Sequence, residues 1–277
     1  MDQRYGRLMG LKMSDRITLN TQEDRQTLKA LANRLGQGRS FRRRLPKEYG
    51  GCRMYFTPEA GIAYWFPHSA MRRESLLKNA VETVKPGSIV WDVGANMGLF
   101  SFAAAGLSGP TGRVFAFEPD TFMVSLLRRS ARLNPQAAPV EVIPCAAFDS
   151  LSLARFDIAK NNRSVSFLEG FGTGLTGGAR EQQSVLTVPL DWVAERIPLP
   201  DVLKIDVEAA ELHVFRGANH LLKTRRPVVI FEAQNYNWDQ IAPGLWDLGY
   251  TLYNCDLAPA ERQPLRTSVF NTLALPA

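Results

Sequence analysis

The chain has 277 residues, of which 45% are hydrophobic and 22% charged, with a formal net charge of +6. This is the composition of a folded globular protein with ample material for a core, and it excludes disordered, collagen-like and mucin-like chains. The charge is uneven: residues 1–48 carry 12 Lys/Arg against 5 Asp/Glu, a net of +7, whereas residues 49–277 carry 21 against 22, a net of −1. The sequence therefore divides into a basic N-terminal extension, 1–48, and a main domain, 49–277. No run reaches the roughly 18 apolar residues of a membrane span, and the N-terminus lacks the apolar stretch of a signal peptide. A cytoplasmic protein is expected.

In chain order, Thr21 caps a short amphipathic helix over 22–35, with Leu28, Leu31 and Leu35 on one face and Gly36 as its stop; this face is a candidate contact in a homodimer. Arg39, Arg42, Arg43, Arg44 and Lys47 cluster around Phe41. They are read as a solvated arm or a partner-facing patch, with phosphate or an acidic membrane surface as the alternative. Residues 50–66 alternate aromatic with small or polar residues, predicting a small hairpin that serves, over 50–75, as a lid or flank.

From residue 71 a helix to 84 is closed by Lys85-Pro86-Gly87. Five short runs, apolar on both faces, follow at 89–93, 114–118, 140–144, 202–206 and 228–232. Helical patterns at 97–107, 120–133, 209–223 and 238–248 alternate with them. The alternation predicts an α/β fold, a Rossmann-like, doubly wound, mostly parallel sheet. Residues 250–255 and 268–274 add an antiparallel hairpin at its edge, bringing the strands to seven. The glycine-rich segment 170–178 is expected to be a mobile surface loop, inside a candidate substrate loop over 155–185.

In such a sheet the ligand site lies beyond the carboxyl ends of the strands, and here those ends are polar. Strand one carries Asp92 into the turn Gly94-Ala95-Asn96-Met97-Gly98, whose glycines let backbone approach a ligand at a helix N-terminus. The turn departs from the dinucleotide fingerprint, because Asn96 and Leu99 occupy glycine places. Strand two ends in Glu118, placed to grip a ribose by both hydroxyls. A ribose acid and a glycine turn under an amino-acid tail fit S-adenosylmethionine better than NAD. Gly94, Ala95 and Gly98 are then expected at the methionine end, Asp92 near the ammonium and Asn96 as a further cofactor contact. Ala147 and Phe148 border the adenine, or are a packed turn.

Strand four brings Lys204, Asp206 and Glu208 to one side at its tip. A lysine in an apolar strand needs a carboxylate partner. Asp206 is the first candidate for general base or acceptor orienter and Glu208 the second. Glu232, ending strand five, and His68, in the lid, are candidate substrate contacts. Asp206, Glu208 and Glu232 offer oxygen ligands to Mg2+, although salt bridges with Lys204 and nearby arginines explain the same acids without metal. No spacing of the three histidines or three cysteines marks a metal site or a disulfide framework.

Four segments, VWDVGANMGLFS, VFAFEPD, VLKIDVEAAELHVFRGA and RPVVIFEAQN, occur in this order and resemble the FkbM-type class I S-adenosylmethionine-dependent methyltransferases over roughly residues 50–255. The strand-four motif of that family has glycine where this chain has Ala209. The resemblance implies O-methylation, with an acceptor drawn from sugars, polyketides or other secondary metabolites. Two rivals belong to other classes. An RNA 2′-O-methyltransferase would use the basic arm on phosphate, but the main domain is not basic and shows no RNA-binding module. A non-catalytic scaffold of the same fold would not need Asp92, Glu118 and Asp206 together.

Overall fold

A computed structural model describes residues 38–60, 74–160, 162–172, 177–232 and 235–277. The elements in chain order are β1 (Phe41–Arg44), β2 (Arg53–Phe56), α1 (Glu74–Thr83), β3 (Ile89–Val93), α2 (Leu99–Ser108), β4 (Arg113–Phe117), α3 (Thr121–Ala131), β5 (Val140–Ile143), β6 (Ala146–Ala147) and β7 (Ser152–Ala159). They continue with β8 (Phe167–Leu168), β9 (Ala179–Val188), α4 (Leu190–Ala194), β10 (Val202–Ile205), α5 (Glu211–Arg216), α6 (Asn219–Thr224), β11 (Val228–Glu232), α7 (Asn235–Asp247), β12 (Tyr250–Asn254) and β13 (Asn271–Pro276). The expected helix 22–35, residues 61–73 of the lid with His68, and 173–176 lie outside the described residues.

Seven strands form the main sheet in the order β12-β13-β11-β10-β3-β4-β5. The five strands from β11 to β5 are parallel, and β13 runs antiparallel to both β11 and β12, which gives the expected edge hairpin. Alternate residues of each strand feed opposite cores, as period two requires. Val90, Val114, Ala116, Val202 and Ile230 pack with α1, α2 and α3. Trp91, Phe115, Phe117, Leu203, Ile205 and Phe231 pack with α5, α6 and α7 on the other face. Each of these Val, Leu, Ile and Phe side chains contributes about 1.5–3 kcal/mol by leaving water. This is the expected doubly wound, mostly parallel α/β sheet.

Three segments differ from expectation. The N-terminal hairpin pairs β1 with β2, Phe41 opposite Phe56 and Arg44 opposite Arg53, so its first strand is the arginine cluster rather than residues after 50. Leu45 and Tyr49, ahead of residue 50, are buried in the core. The helix expected over 209–223 is two helices, α5 and α6, broken at Gly217, where a Cβ would overlap the Phe148 carbonyl.

The largest difference is at 146–188. In place of an irregular substrate loop, β6, β9, β7 and β8 form a second, four-stranded sheet with its own small core of Ala146, Phe156, Ile158, Leu168 and Val185. Within the glycine-rich segment, Gly177 and Gly178 lead into β9, and Lys160 N–H donates to the Gly178 carbonyl.

Candidate active site

The second sheet stands over the carboxyl ends of β3, β4, β10 and β11, and a cavity lies between. Gly94, Asn96, Glu118 and Asp120 line it from the first two strand ends, and Asp206, Val207, Glu208 and Glu232 from the other two. Cys145, Ala146 and Ala147 line one side; Phe156, Arg163, Ser164, Ser166 and Leu168 come from the second sheet and its connection.

Glu118 sits just past β4, 6% exposed, and is held on both oxygens: Asn96 N–H donates to Oε2 at 2.6 Å and Asp120 N–H to Oε1 at 2.8 Å. Burial, reinforced by the neighbouring Asp120 carboxylate, pushes its pKa up to about 8, against the pull of those two N–H groups. Asn96 reaches it by adopting a left-handed backbone, φ 54°, stabilised where its own Oδ1 accepts from Met97 N–H at 2.7 Å.

Gly94 is fixed for a different reason. Its φ is +75°, and a Cβ would overlap the carbonyl of Asp206, so the β3 turn and the β10 tip approach as only glycine allows.

Lys204 ties these strand ends from below. Its Nζ lies 3.1 Å from Asp92 Oδ1 and 3.4 Å from Asp206 Oδ2, and donates to the Gly94 carbonyl at 2.9 Å. The carboxylates of Asp92 and Asp206 raise its pKa above the ordinary lysine value, overcoming burial. The expected carboxylate partner of Lys204 is therefore two carboxylates.

Asp92 is not at the cavity. It is 0% exposed, accepts from Ser101 Oγ at 2.5 Å on its other oxygen, and serves Lys204 rather than a ligand's ammonium. Ala95 is buried, its N–H given to the Phe117 carbonyl, and a Cβ on Gly98 would strike Leu127 and Phe102; both position the turn and do not line the cavity. Phe148 also points elsewhere. It stacks on His213 at 4.4 Å, with Asp149 Oδ2 2.5 Å from His213 Nδ1, and borders a separate surface pocket. The cavity thus collects Gly94, Asn96, Glu118, Ala147, Asp206, Glu208 and Glu232 of the expected residues.

The tip of β10 is strained. Glu208 and Ala209 both have positive φ, 53° and 74°. The turn is held where Ala209 N–H donates to Glu211 Oε1 at 3.1 Å, and where Asn237 Nδ2 bridges the Ala209 carbonyl and Glu211 Oε2. Asp206, Glu208 and Glu232 share the wall, yet among the described residues no three His, Cys, Asp or Glu side chains converge as a metal site.

Sequence reasoning missed Arg163. It lies in the connection after β7 and donates to both Asp120 oxygens, and its Nη1 reaches Glu59 Oε2 at 3.2 Å. Glu59 also pairs with Arg180 and accepts from Gly38 N–H. Asp120 in turn caps α3 through Phe122 N–H. A buried chain of charge thus joins the second sheet to Asp120, two residues beyond Glu118. The signal available was Asp120, an acid following Glu118-Pro119 whose burial demanded a cation.

The residues present fit a nucleoside amino acid: a buried acid at the cavity, Gly94 beside it with no side chain, and apolar Ala147, Phe156, Leu168 and Met123 around the remaining space. A family profile described as the methyltransferase FkbM domain matches residues 92–252. The chain belongs to the FkbM methyltransferase family. Among curated proteins, this FkbM chain is 25% identical over 189 residues to the hexuronic acid methyltransferase AglP of Haloferax volcanii, covering 66% of this chain and 72% of the relative. It is 29% identical over 187 residues to the 31-O-demethyl-FK506 methyltransferase FkbM of Streptomyces tacrolimicus, covering 57% and 69%. Among solved structures, the methyltransferase FkbM of Methylobacillus flagellatus KT has a TM-score of 0.45 at 15% identity; the match covers 76% of this chain and 55% of that one. No helix among the described residues is long and apolar enough to cross a membrane.

Proposed function

We propose that this FkbM-family protein methylates a hydroxyl group of a sugar or secondary metabolite, with S-adenosylmethionine as donor. The observation that carries the reading is that Glu118 and Asp206, from the ends of β4 and β10, face one cavity on either side of Gly94. The printed names of the two curated relatives, a hexuronic acid methyltransferase and a 31-O-demethyl-FK506 methyltransferase, support the acceptor class.

When bound, S-adenosylmethionine supplies a methyl group on a positively charged sulfur. Glu118 accepts hydrogen bonds from the ribose hydroxyls through lone pairs that its two backbone donors leave over. Gly94 and Asn96 present backbone to the amino-acid end, and Ala147, Leu168 and Phe156 offer an apolar slot to the base. Asp206 accepts the proton, or the hydrogen bond, of the acceptor hydroxyl. Glu208 and Glu232 orient further hydroxyls, and the second sheet keeps water from the reacting atoms.

The test is incubation with S-adenosylmethionine and a panel of glycosides, uronic acids and hydroxylated metabolites, with methylated product read by mass spectrometry. An O-methylated product, lost by on the order of 10²-fold or more in rate with Asp206→Asn, is expected. Methylation confined to nitrogen or carbon acceptors would contradict the proposal.

A further inference from the structure

The arginine-rich N-terminal hairpin takes no part in the cavity just described. Its register sets Arg42 opposite Tyr55 and Arg44 opposite Arg53, so Arg42, Arg44, Arg53 and Tyr55 share one face of a two-stranded ribbon. Arg42, Arg44 and Arg53 are exposed. Arg129, from α3, lies over the Tyr55 ring at 4.0 Å and adds a fourth guanidinium. Like charges directly opposite on a ribbon destabilise it, as Arg44 and Arg53 do here. Among the described residues no carboxylate forms an ion pair with any of these four arginines. Elsewhere the fold pairs its arginines readily, as Arg163, Arg180, Arg225 and Arg262 show.

The hairpin is nevertheless well anchored from beneath. Met54 and Phe56 are buried in the core, Tyr55 N–H donates to Ser130 Oγ, and Arg53 N–H to Asn134 Oδ1. The fold thus anchors an outward-facing cluster of cations whose mutual repulsion an external anion would relieve.

We propose that this face docks the protein on an anionic phospholipid surface. Four guanidinium groups spread over one exposed face suit an array of charges rather than a single anion, and clustered arginines attract acidic headgroups within a Debye length. A nucleic acid fits less well. The Tyr55 ring is covered by Arg129, leaving no aromatic platform for a base. A phosphate backbone led on to the cavity would meet Glu118, Asp206, Glu208 and Glu232 along its wall. The inference does not depend on which acceptor the cavity methylates.

The experiment is sedimentation of the full chain with phosphatidylcholine vesicles, with and without phosphatidylglycerol, for wild type, a triple Arg42→Ala, Arg44→Ala, Arg53→Ala variant and the corresponding triple Arg→Lys variant. Wild type should partition on to the phosphatidylglycerol vesicles alone and be released by raising salt from about 0.1 M to about 0.5 M. The alanine variant should lose at least about tenfold in partitioning, and the lysine variant should retain it within a few-fold. Equal partitioning on neutral vesicles, undiminished partitioning of the alanine variant, or equal loss in the lysine variant would overturn the proposal. So would failure on both vesicles combined with arginine-dependent binding to an RNA oligomer, which would assign the face to nucleic acid.

Discussion

Lys204 and Asp92 are register partners on β10 and β3, with Nζ 3.1 Å from Oδ1 and both side chains buried. The ammonium donates one of its protons to the Gly94 carbonyl and meets the aspartate oxygen as a close ion pair. One cation therefore fixes the glycine turn, the neighbouring strand and Asp206 at once. Lys204→Met strands Asp92 as a buried, uncompensated charge. The expected loss is about 3–5 kcal/mol in denaturant unfolding, and Asp92→Asn added to it should recover part of that loss.

Glu118 gives the cavity a pH dependence of defined sign. With its pKa raised to about 8, the carboxyl of the free protein is mainly neutral at pH 7. If Glu118 holds the ribose as proposed, the hydroxyls donate to the anion, and cofactor binding expels a proton below about pH 8. Affinity for S-adenosylhomocysteine should rise as pH increases from 6 to about 8 and then level off. In Glu118→Gln the slope should vanish; calorimetry in buffers of different ionisation enthalpy reads the released proton directly.

Ala209 occupies a backbone region, φ 74°, where glycine is at ease and alanine is strained. Ala209→Gly should stabilise the protein by roughly 0.5–1 kcal/mol, visible as a rise in Tm of about 1–3 °C. Gly94→Ala should do the reverse, since its Cβ overlaps the Asp206 carbonyl, and cofactor affinity should fall with it.

Arg163 is a positioning residue, touching Asp120 and Glu59 rather than the reacting atoms. Arg163→Met removes the cation between two buried acids and should cost about 3–5 kcal/mol. Its distinctive readout is the pH curve of S-adenosylhomocysteine binding. An Asp120 carboxylate no longer neutralised should push the midpoint of Glu118 higher, which a loss of packing alone would not do.

The main sheet was legible because its strands are β-branched, apolar on both faces and separated by helical periods; five parallel strands and the edge hairpin stand within a few residues of their expected places. The strand-end acids followed from that, and Glu118, Asp206, Glu208 and Glu232 do line one cavity. Asp92 pairs with Lys204 instead of lining the cavity, and the sequence did not show this because a strand-end acid and the buried partner of a lysine look alike until the register pairs them. β1 was hidden by its arginines, which read as a solvated arm. The second sheet was hidden because β7 and β9 bury little: Leu153 and Leu186 are exposed, and Arg180, Glu181, Gln182 and Gln183 break the apolar signal. Arg163 went unseen with them, because its partners Asp120 and Glu59 lie 43 and 104 residues away.

Glu118 and the Gly94 turn are proposed to hold a nucleoside amino acid. The decisive measurement is calorimetric titration of the full chain with S-adenosylhomocysteine and with NAD, for wild type and Glu118→Ala. Micromolar binding of S-adenosylhomocysteine alone, weakened at least about tenfold by the substitution, is the predicted result. Absence of binding, preference for NAD, or affinity unchanged in Glu118→Ala would contradict it.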